Sequence, residues 1–429
     1  MLDLHLVRNE PDRVEELLRR KGFTAGIRDI LELDAERRAA LTEFERKRAE
    51  QKKLSKRIGA LRKTGADASD LMREASELAA VIKDLEAKAE RLGRELRDRL
   101  LRVPNVPDPD VPVSEDEGGN VVLSVKGEPP RFDFEPKAHW DLLGEAGLLD
   151  MELGSSLAGS GFYALRGGLA RLERALIDLM IRLHTERHGY EEVATPYLAR
   201  DEILEGTGQL PKFADDMYRI EGSELFLIPT AEVTLANARR GKVLKEDDLP
   251  IYLCGYTPCF RREAGAAGRD TRGLIRVHQF SKVELIKIVR PEDSEAELEK
   301  LVGEACAVLD ALGLHYRTVL LSTGDMTFSS AKTIDIEVYC PGVDRWLEVS
   351  SCSNCRDFQA RRMMTRYKPA GGKGTRYVHI LNGSGVALPR LLIALAESYQ
   401  RADGSVALPE AVRPYFGGAD TLPGKEAGR

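Results

Sequence analysis

TPCFRREAGAAGRDTRGLIRVHQFSKVE, residues 257–284, reads as a strand, a glycine-rich loop and a returning strand. In a strand, residues two and four apart share a face. Arg261 and Glu263 are therefore expected together on the incoming strand, and Phe280, Lys282 and Glu284 together on the returning one. At the rise of an extended chain, Phe280 and Glu284 fall roughly 13 Å apart. A floor with a cation and a carboxylate, an aromatic plate and a distant carboxylate suits an elongated ligand. Such a ligand has a flat ring, an anionic centre and a small polar end.

Around this hairpin the chain alternates between strand and helix patterns. GYEEVATPYL (189–198, closed by Pro196), LFLIPT (225–230) and YLCGYTPCF (252–260) read as strands. So do HYRTVLLS (315–322), TIDIEVYC (333–340) and RWLEVSS (345–351). Leu169, Leu172, Leu176, Leu179 and Leu183 make one helical face, a second helix is expected near 293–312, and a last one follows NGSG with Pro389 in its first turn. Strands in hairpin order with helices on one side make an α+β domain around an antiparallel sheet.

Ahead of this domain lies a different pattern. Ile30, Leu33, Ala40, Phe44, Leu54, Ile58 and Leu61 recur by threes and fours, with Arg37, Lys47 and Gln51 interrupting the seam. After the break at 64–67 the period resumes through Leu71, Ala75, Leu78, Ile82, Leu85, Ala89, Leu92 and Leu96. Two such helices joined by a short turn form an antiparallel coiled-coil hairpin. At about 35 residues each they span ~50 Å. The first helix is strongly basic, with Arg37, Arg38, Arg46, Lys47, Lys52, Lys53, Lys56 and Arg57 among its cations. Two readings of that charge stand: a solvated surface with cross-helix ion pairs, or an arm that tracks RNA phosphates. VPNVPDPDVPVSEDEGGN, 103–120, ends the arm and reads as a linker, because repeated proline cannot continue a helix. The expected organisation is an arm-bearing domain over 1–103 (the coiled coil from about 28), a linker over 104–120, a main domain over 121–418 and a disordered tail over 419–429.

The bulk numbers exclude several classes. The chain has 429 residues, 42% of them hydrophobic, enough for a real core. No apolar run approaches the ~18 residues of a membrane span, and the charged N-terminal segment lacks a signal-peptide core. A cytoplasmic protein with no membrane partner is the expectation. The net charge of −6 argues against a uniformly basic nucleic-acid binder, though not against a local basic stripe. Cys352 and Cys355 form a CxxC, but a structural zinc site wants four ligands and no second pair accompanies it. The six cysteines read as reduced thiols.

The short strings identify a relationship. PNVP at 104–107, GTGQLPKF at 206–213, IPTAEV at 228–233, FRREAGAAGRDTRGLIRVHQFSKVE at 260–284, GDM at 324–326, EVSSCSN at 348–354, FQARR at 358–362 and LNGSGVALPR at 381–390 follow the arm in that order. The chain resembles the bacterial-type seryl-tRNA synthetases, class II aminoacyl-tRNA synthetases, over nearly its whole length. The resemblance implies an N-terminal coiled-coil arm and a class II domain on an antiparallel sheet flanked by helices. It implies serine–tRNA ligation: ATP and L-serine give seryl-adenylate, and the seryl group passes to the 3′ end of tRNA(Ser), with tRNA(Sec) a candidate second acceptor. Arg261 would bridge the serine carboxylate and the α-phosphate, Glu263 would accept from the adenine amino group, and Phe280 would stack under the adenine. Arg390 would hold the γ-phosphate end or cover the other adenine face. Arg262, Val277, Val349, Ser350 and Ser351 complete the ATP-binding set, and Glu348 would ligate Mg2+ with Ser351 as its partner. Thr230, Ala231, Glu232, Glu284 and Ser384, together with Arg261, would bind serine.

Strict alternation puts Glu348 and Ser351 on opposite faces, so the pleat must break or end before Ser351. Arg269, Asp270, Thr271 and Arg272 of the hairpin loop suit either contact with the tRNA acceptor end or a plain solvated loop, and His278 is expected to be structural. Ser281, Thr327, Ser330 and Ile334 depart from common family residues without removing a group that has a named role. The basic arm becomes a grip on the long variable arm and elbow of the tRNA, read by shape and phosphate. The leucine face at 169–183 resembles the class II dimer element, which implies a homodimer; an ordinary core helix is the alternative. Two other functions remain open: a paralogue with the same adenylating chemistry and another acceptor, and a non-catalytic RNA-binding scaffold.

Overall fold

The computed structural model describes residues 1–24, 26–264 and 272–424. They form two compact units, one over Met1–Arg19 and Phe23–Pro104, the other over Arg20–Gly22 and the chain from Asn105 onward.

The first unit is built on helices α1 (Ile27–Lys63) and α2 (Ser69–Leu101). The heptad reading holds. Ile30, Leu33, Ala40 and Leu54 of α1 and Ala89, Leu92 and Leu96 of α2 are buried, and Phe44, Ile58, Leu61, Leu71, Leu78, Ile82 and Leu85 are half-buried along the same seam. α1 stops where Gly65 takes a positive φ of 73°, a conformation glycine adopts without a Cβ clash. Asp67 then accepts the Ser69 N–H at 2.9 Å and starts α2. At the other end of α1, Asp34 is fully buried, and Arg8 Nε and Nη2 each donate to it at 2.7 Å. Burial opposes ionisation there, yet the Arg8 and Arg38 guanidiniums hold the Asp34 carboxyl below its ordinary value.

The second unit is α+β. Its main sheet has strands β1 (Val121–Lys126), β2 (Glu191–Glu192), β3 (Ile251–Phe260), β4 (Gln279–Val289), β5 (Tyr316–Leu320), β6 (Lys332–Cys340), β7 (Arg345–Asn354) and β8 (His379–Ala387). The spatial order is β1-β5-β6-β7-β8-β4-β3-β2. Every pairing is antiparallel except β2 with β3 at one edge. The stretch 189–198 pairs in this sheet only at β2, because Pro196 has no N–H to continue the ladder. Helices α3 (Gly167–Arg187), α4 (Ser294–Ala311) and α5 (Leu388–Ser398) cover one face. The core lies there: Leu172, Leu176 and Met180 of α3, Leu301 and Leu309 of α4 and Leu391 and Leu395 of α5 meet Val283, Leu285, Ile336, Val338, Leu347 and Val349 of the sheet.

Two boundaries differ from expectation. The stretch 104–120 is no free linker. Asn105 Nδ2 donates to Ser329 O and Cys355 O at 3.0 Å each, Arg356 pairs with Asp108, and Lys332 pairs with Asp110. Prolines that block a helix leave the carbonyls and acids of this segment free to bond the domain. The expected tail also begins too early. Leu422 is buried, its N–H donates to Val406 O at 2.8 Å, and Leu408 N–H donates to Asp420 O at 2.8 Å. Residues 425–429 lie outside the described residues.

Candidate active site

The sheet face opposite α3–α5 carries the candidate groups, and β4 shows the expected alternation. Lys282 and Glu284 share that face as an ion pair, while Val283 and Leu285 enter the helix-packed core. Glu284 is buried, and its Oε2 also accepts from Thr230 Oγ1 at 2.9 Å. Ser384 of β8 is the direct cross-strand partner of Glu284. Ala231 is buried, and Glu232 opens the short helix Glu232–Ala236. Glu232 Oε1 accepts from Gln359 Nε2 at 2.6 Å and from Asn382 Nδ2 at 3.2 Å. Burial and then the Glu284 charge push the Glu232 carboxyl up to about 7, against the Gln359 hydrogen bond and the charges of Lys282 and Arg261. Thr230, Glu232, Glu284 and Ser384 are thus brought together. Gln359 and Asn382 were not singled out from sequence, although both sit in quoted strings. Their signal is a polar amide inside an otherwise core-bound segment.

The incoming strand corrects one expectation. β3 stops at Phe260, so Arg261 and Glu263 do not share a pleated face. Arg261 N–H still donates to His278 O at 2.8 Å, and His278 Nδ1 lies 3.0 Å from Arg261 O. Beyond that closure Asp216 draws the chain off: its O accepts from Arg262 N–H at 2.9 Å and its Oδ1 from Ala264 N–H at 3.0 Å. Glu263 consequently takes a left-handed φ of 51°, uncommon for a residue with a side chain. Arg261 places its guanidinium 5.0 Å from the Phe280 ring centre and its Nε 3.3 Å from Pro229 O. Glu263 is ion-paired with Arg276, a partner sequence reading missed. Arg262 is exposed and Val277 is buried. His278 is the structural residue expected: besides Arg261 it packs on Gly161, where a Cβ would come 2.4 Å from its ring. Arg272 is exposed, with its guanidinium over Trp140 at 4.4 Å. Arg269, Asp270 and Thr271 lie outside the described residues.

The expected break in β7 is present as a β-bulge. Ile336 pairs with Ser350 and Glu337 with Glu348, so Val349 is the extra residue. Glu348 and Ser351 therefore reach the same face, while Val349 and Ser350 are buried on the other. The Ser350 hydroxyl donates to Ser384 O at 2.6 Å, so neither of those two side chains joins the candidate ATP set on the site face. Arg390, in the first turn of α5, donates from Nη1 to Glu348 O at 2.7 Å and to Glu348 Oε2 at 3.2 Å. Asp335 of β6 lies beside Ser351, and burial together with the Glu348 charge holds its carboxyl well above the usual carboxylate range. Cys352 and Cys355 are buried, free thiols, and among the described residues no group of three or more His, Cys, Asp or Glu is placed to hold a metal.

In the first unit the eight candidate RNA contacts divide. Arg38 is committed to Asp34, Arg46 to Glu43 and Lys47 to Glu50. Arg37 is half-buried against α2, where a Cβ on Gly93 would sit 3.2 Å from its Nε. Lys52, Lys53, Lys56 and Arg57 are exposed and without an ion-pair partner among the described residues. At spacings of one and four they form a single basic stripe.

Comparison with known proteins matches both units. Residues 1–107 match the family described as the seryl-tRNA synthetase N-terminal domain, and residues 215–399 the tRNA synthetase class II core domain (G, H, P, S and T). The serine–tRNA ligase of Syntrophomonas wolfei is 48% identical over 427 residues, covering 100% of both chains. That of Thermomicrobium roseum is 51% identical over 98% of this chain and 95% of its own. The crystal structure of seryl-tRNA synthetase from Pyrococcus horikoshii complexed with ATP superposes with a TM-score of 0.92 at 36% identity, covering 99% of this chain and 100% of the other. With relatives of this similarity along both units, the chain belongs to the seryl-tRNA synthetase family of class II aminoacyl-tRNA synthetases.

Proposed function

We propose that the chain is a serine–tRNA ligase that activates L-serine with ATP and transfers the seryl group to the 3′ end of tRNA(Ser). One observation carries the substrate choice. Thr230 and Lys282 both engage Oε2 of buried Glu284, which leaves Oε1 for a substrate hydroxyl beside Ser384. A site built to pair that hydroxyl rejects alanine and glycine by leaving its own polar groups unpaired. Glu232 stands next to it to receive the ammonium group. The serine carboxylate then attacks the α-phosphate, an acyl-phosphate bond forms and pyrophosphate leaves. This step needs alignment and charge neutralisation rather than covalent help, and Arg261 beside Phe280 supplies both. ATP–pyrophosphate exchange assayed with each amino acid, with Mg2+ and without tRNA, tests the reading. Exchange with serine alone is expected; exchange with no amino acid from folded protein would transfer the assignment to an RNA-binding scaffold.

The donor set fits Mg2+. Glu348 offers a carboxylate, Ser351 a hydroxyl on the same face, and so few protein ligands suit an ion that keeps water and phosphate oxygens around it. Bound there, Mg2+ would neutralise triphosphate charge, while Arg390 holds the far end of the chain of phosphates.

The acceptor follows from the basic stripe on α1, which suits an RNA read by shape and phosphate; tRNA(Sec) would be taken by the same means. A homodimer in the cytoplasm, where tRNA is charged for translation, completes the proposal. No helix among the described residues is long and apolar enough to cross a membrane.

The Glu232 carboxyl sets a pH dependence. It is neutral below about 7 and ionised above, and only the ionised form attracts the serine ammonium group. The serine KM is expected to rise about tenfold from pH 8 to pH 6, as the ionised fraction falls through the pKa. Glu232→Gln should show a high KM that is flat over this range. A wild-type KM that is constant from pH 8 to pH 6 would remove Glu232 from ammonium recognition.

A further inference from the structure

Asp335 has no role in the mechanism above, yet its surroundings are unusual. It is the direct cross-strand partner of Ser351, so the Ser351 hydroxyl and the Asp335 carboxylate share one face of the sheet. The residue is 8% exposed, and its Oδ1 has no hydrogen-bond partner among the described residues. A buried carboxylate oxygen without a donor is costly, so it persists where something else engages it. Its protein neighbours do not. On β5 it is paired with Val319, which belongs to an apolar cluster with Val111, Leu321 and Met326. The charges that act on it are those of Glu348, Asp325 and Glu337, all acidic. Arg317 is committed to Glu337 and Arg390 to Glu348. The bulge at Val349 turns Ser351 and Glu348 toward the same side as Asp335. An unpaired acid oxygen behind a hydroxyl and beside a second acid is an arrangement completed by a cation and its water.

We propose that Asp335 is a positioning residue for the divalent cation of this site. By accepting the Ser351 hydroxyl proton in a hydrogen bond it turns the Ser351 lone pairs toward the ion, and its Oδ1 receives a water of the ion's shell. Partners of this kind, one step removed from the ion, typically set its affinity by ten- to a hundredfold. The proposal rests on the reading that Glu348 and Ser351 hold Mg2+.

The test is Mn2+ binding to the full chain with a non-hydrolysable ATP analogue, read by the electron paramagnetic resonance of free Mn2+, with no turnover involved. Asp335→Asn keeps the shape and removes the charge. It is expected to weaken Mn2+ at least about tenfold while the affinity for the analogue measured without metal stays within about twofold. Asp335→Ser, which offers a hydroxyl in place of an amide, serves if the first variant folds poorly, and the same loss is expected. Mn2+ affinity within threefold of the wild type in a folded variant overturns the proposal. So does an equal loss of metal and metal-free nucleotide binding, the mark of a merely structural residue. If the wild type itself binds no Mn2+ with the analogue, the metal reading of Glu348 and Ser351 fails first, and this proposal with it.

Discussion

Arg261→Ala is expected to lower serine-dependent ATP–pyrophosphate exchange by ~10³-fold or more, about 4 kcal/mol of transition-state stabilisation. The magnitude follows from position. The guanidinium lies over Phe280 and, among the described residues, is tied only to Pro229 O through one Nε bond, which leaves both Nη groups for ligand. The half-buried side chain contributes little to the core, so the melting temperature should move little. Arg261→Lys restores the charge but not the planar fork, and should recover only a small part of the rate. Binding of serine tRNA should remain within about twofold, because the phosphate contacts proposed for it sit in the other unit and follow their own salt dependence. Exchange by the alanine variant within threefold of the wild type would remove Arg261 from the chemistry.

The second large effect concerns the arm. Replacing residues 37–95 by a short glycine–serine turn should leave pyrophosphate exchange within about twofold and lower kcat/KM for tRNA charging by ~10³-fold, the scale of several lost phosphate contacts. The cut keeps Asp34 and its Arg8 clamp, so the base of the helical pair survives. A finer version changes Lys52, Lys53, Lys56 and Arg57 to Gln. Those four cations have no partner to lose among the described residues, and the slope of log affinity against log salt should become shallower by about 3. Arg38, Arg46 and Lys47 are already paired with acids, and their removal should matter less for RNA. If charging survives the truncation, the arm is not the tRNA contact.

Much of this architecture was legible because periodicity carries it. The seam from Ile30 to Leu96 and the Lys282–Glu284 pair both follow from which residues share a face. What stayed hidden comes from register between distant segments. Gln359 and Asn382 meet at Glu232, and Arg276 meets Glu263, through pairings that no local pattern encodes. Asp335 beside Ser351 belongs with them. The false expectation that Arg261 and Glu263 share a pleat failed for a related reason. Asp216, some 45 residues upstream, takes the N–H groups that would have continued the ladder. The Glu348–Ser351 conflict was different. There the residues contradicted an unbroken strand, and the contradiction located the bulge.

That bulge has a consequence for how this region varies. An added residue in a strand is a half-period phase shift, and everything past it trades inside for outside. Leu347 and Val349 face the core before the slip and Ser350 and Cys352 after it, while Glu348 and Ser351 straddle it on the site side. A substitution in β7 alters one contact. An insertion or deletion of one residue alters the parity of the whole strand on one side of the slip, sending carboxylate and hydroxyl into the core or aliphatic groups into the site. Composition here is free to drift, and length is not.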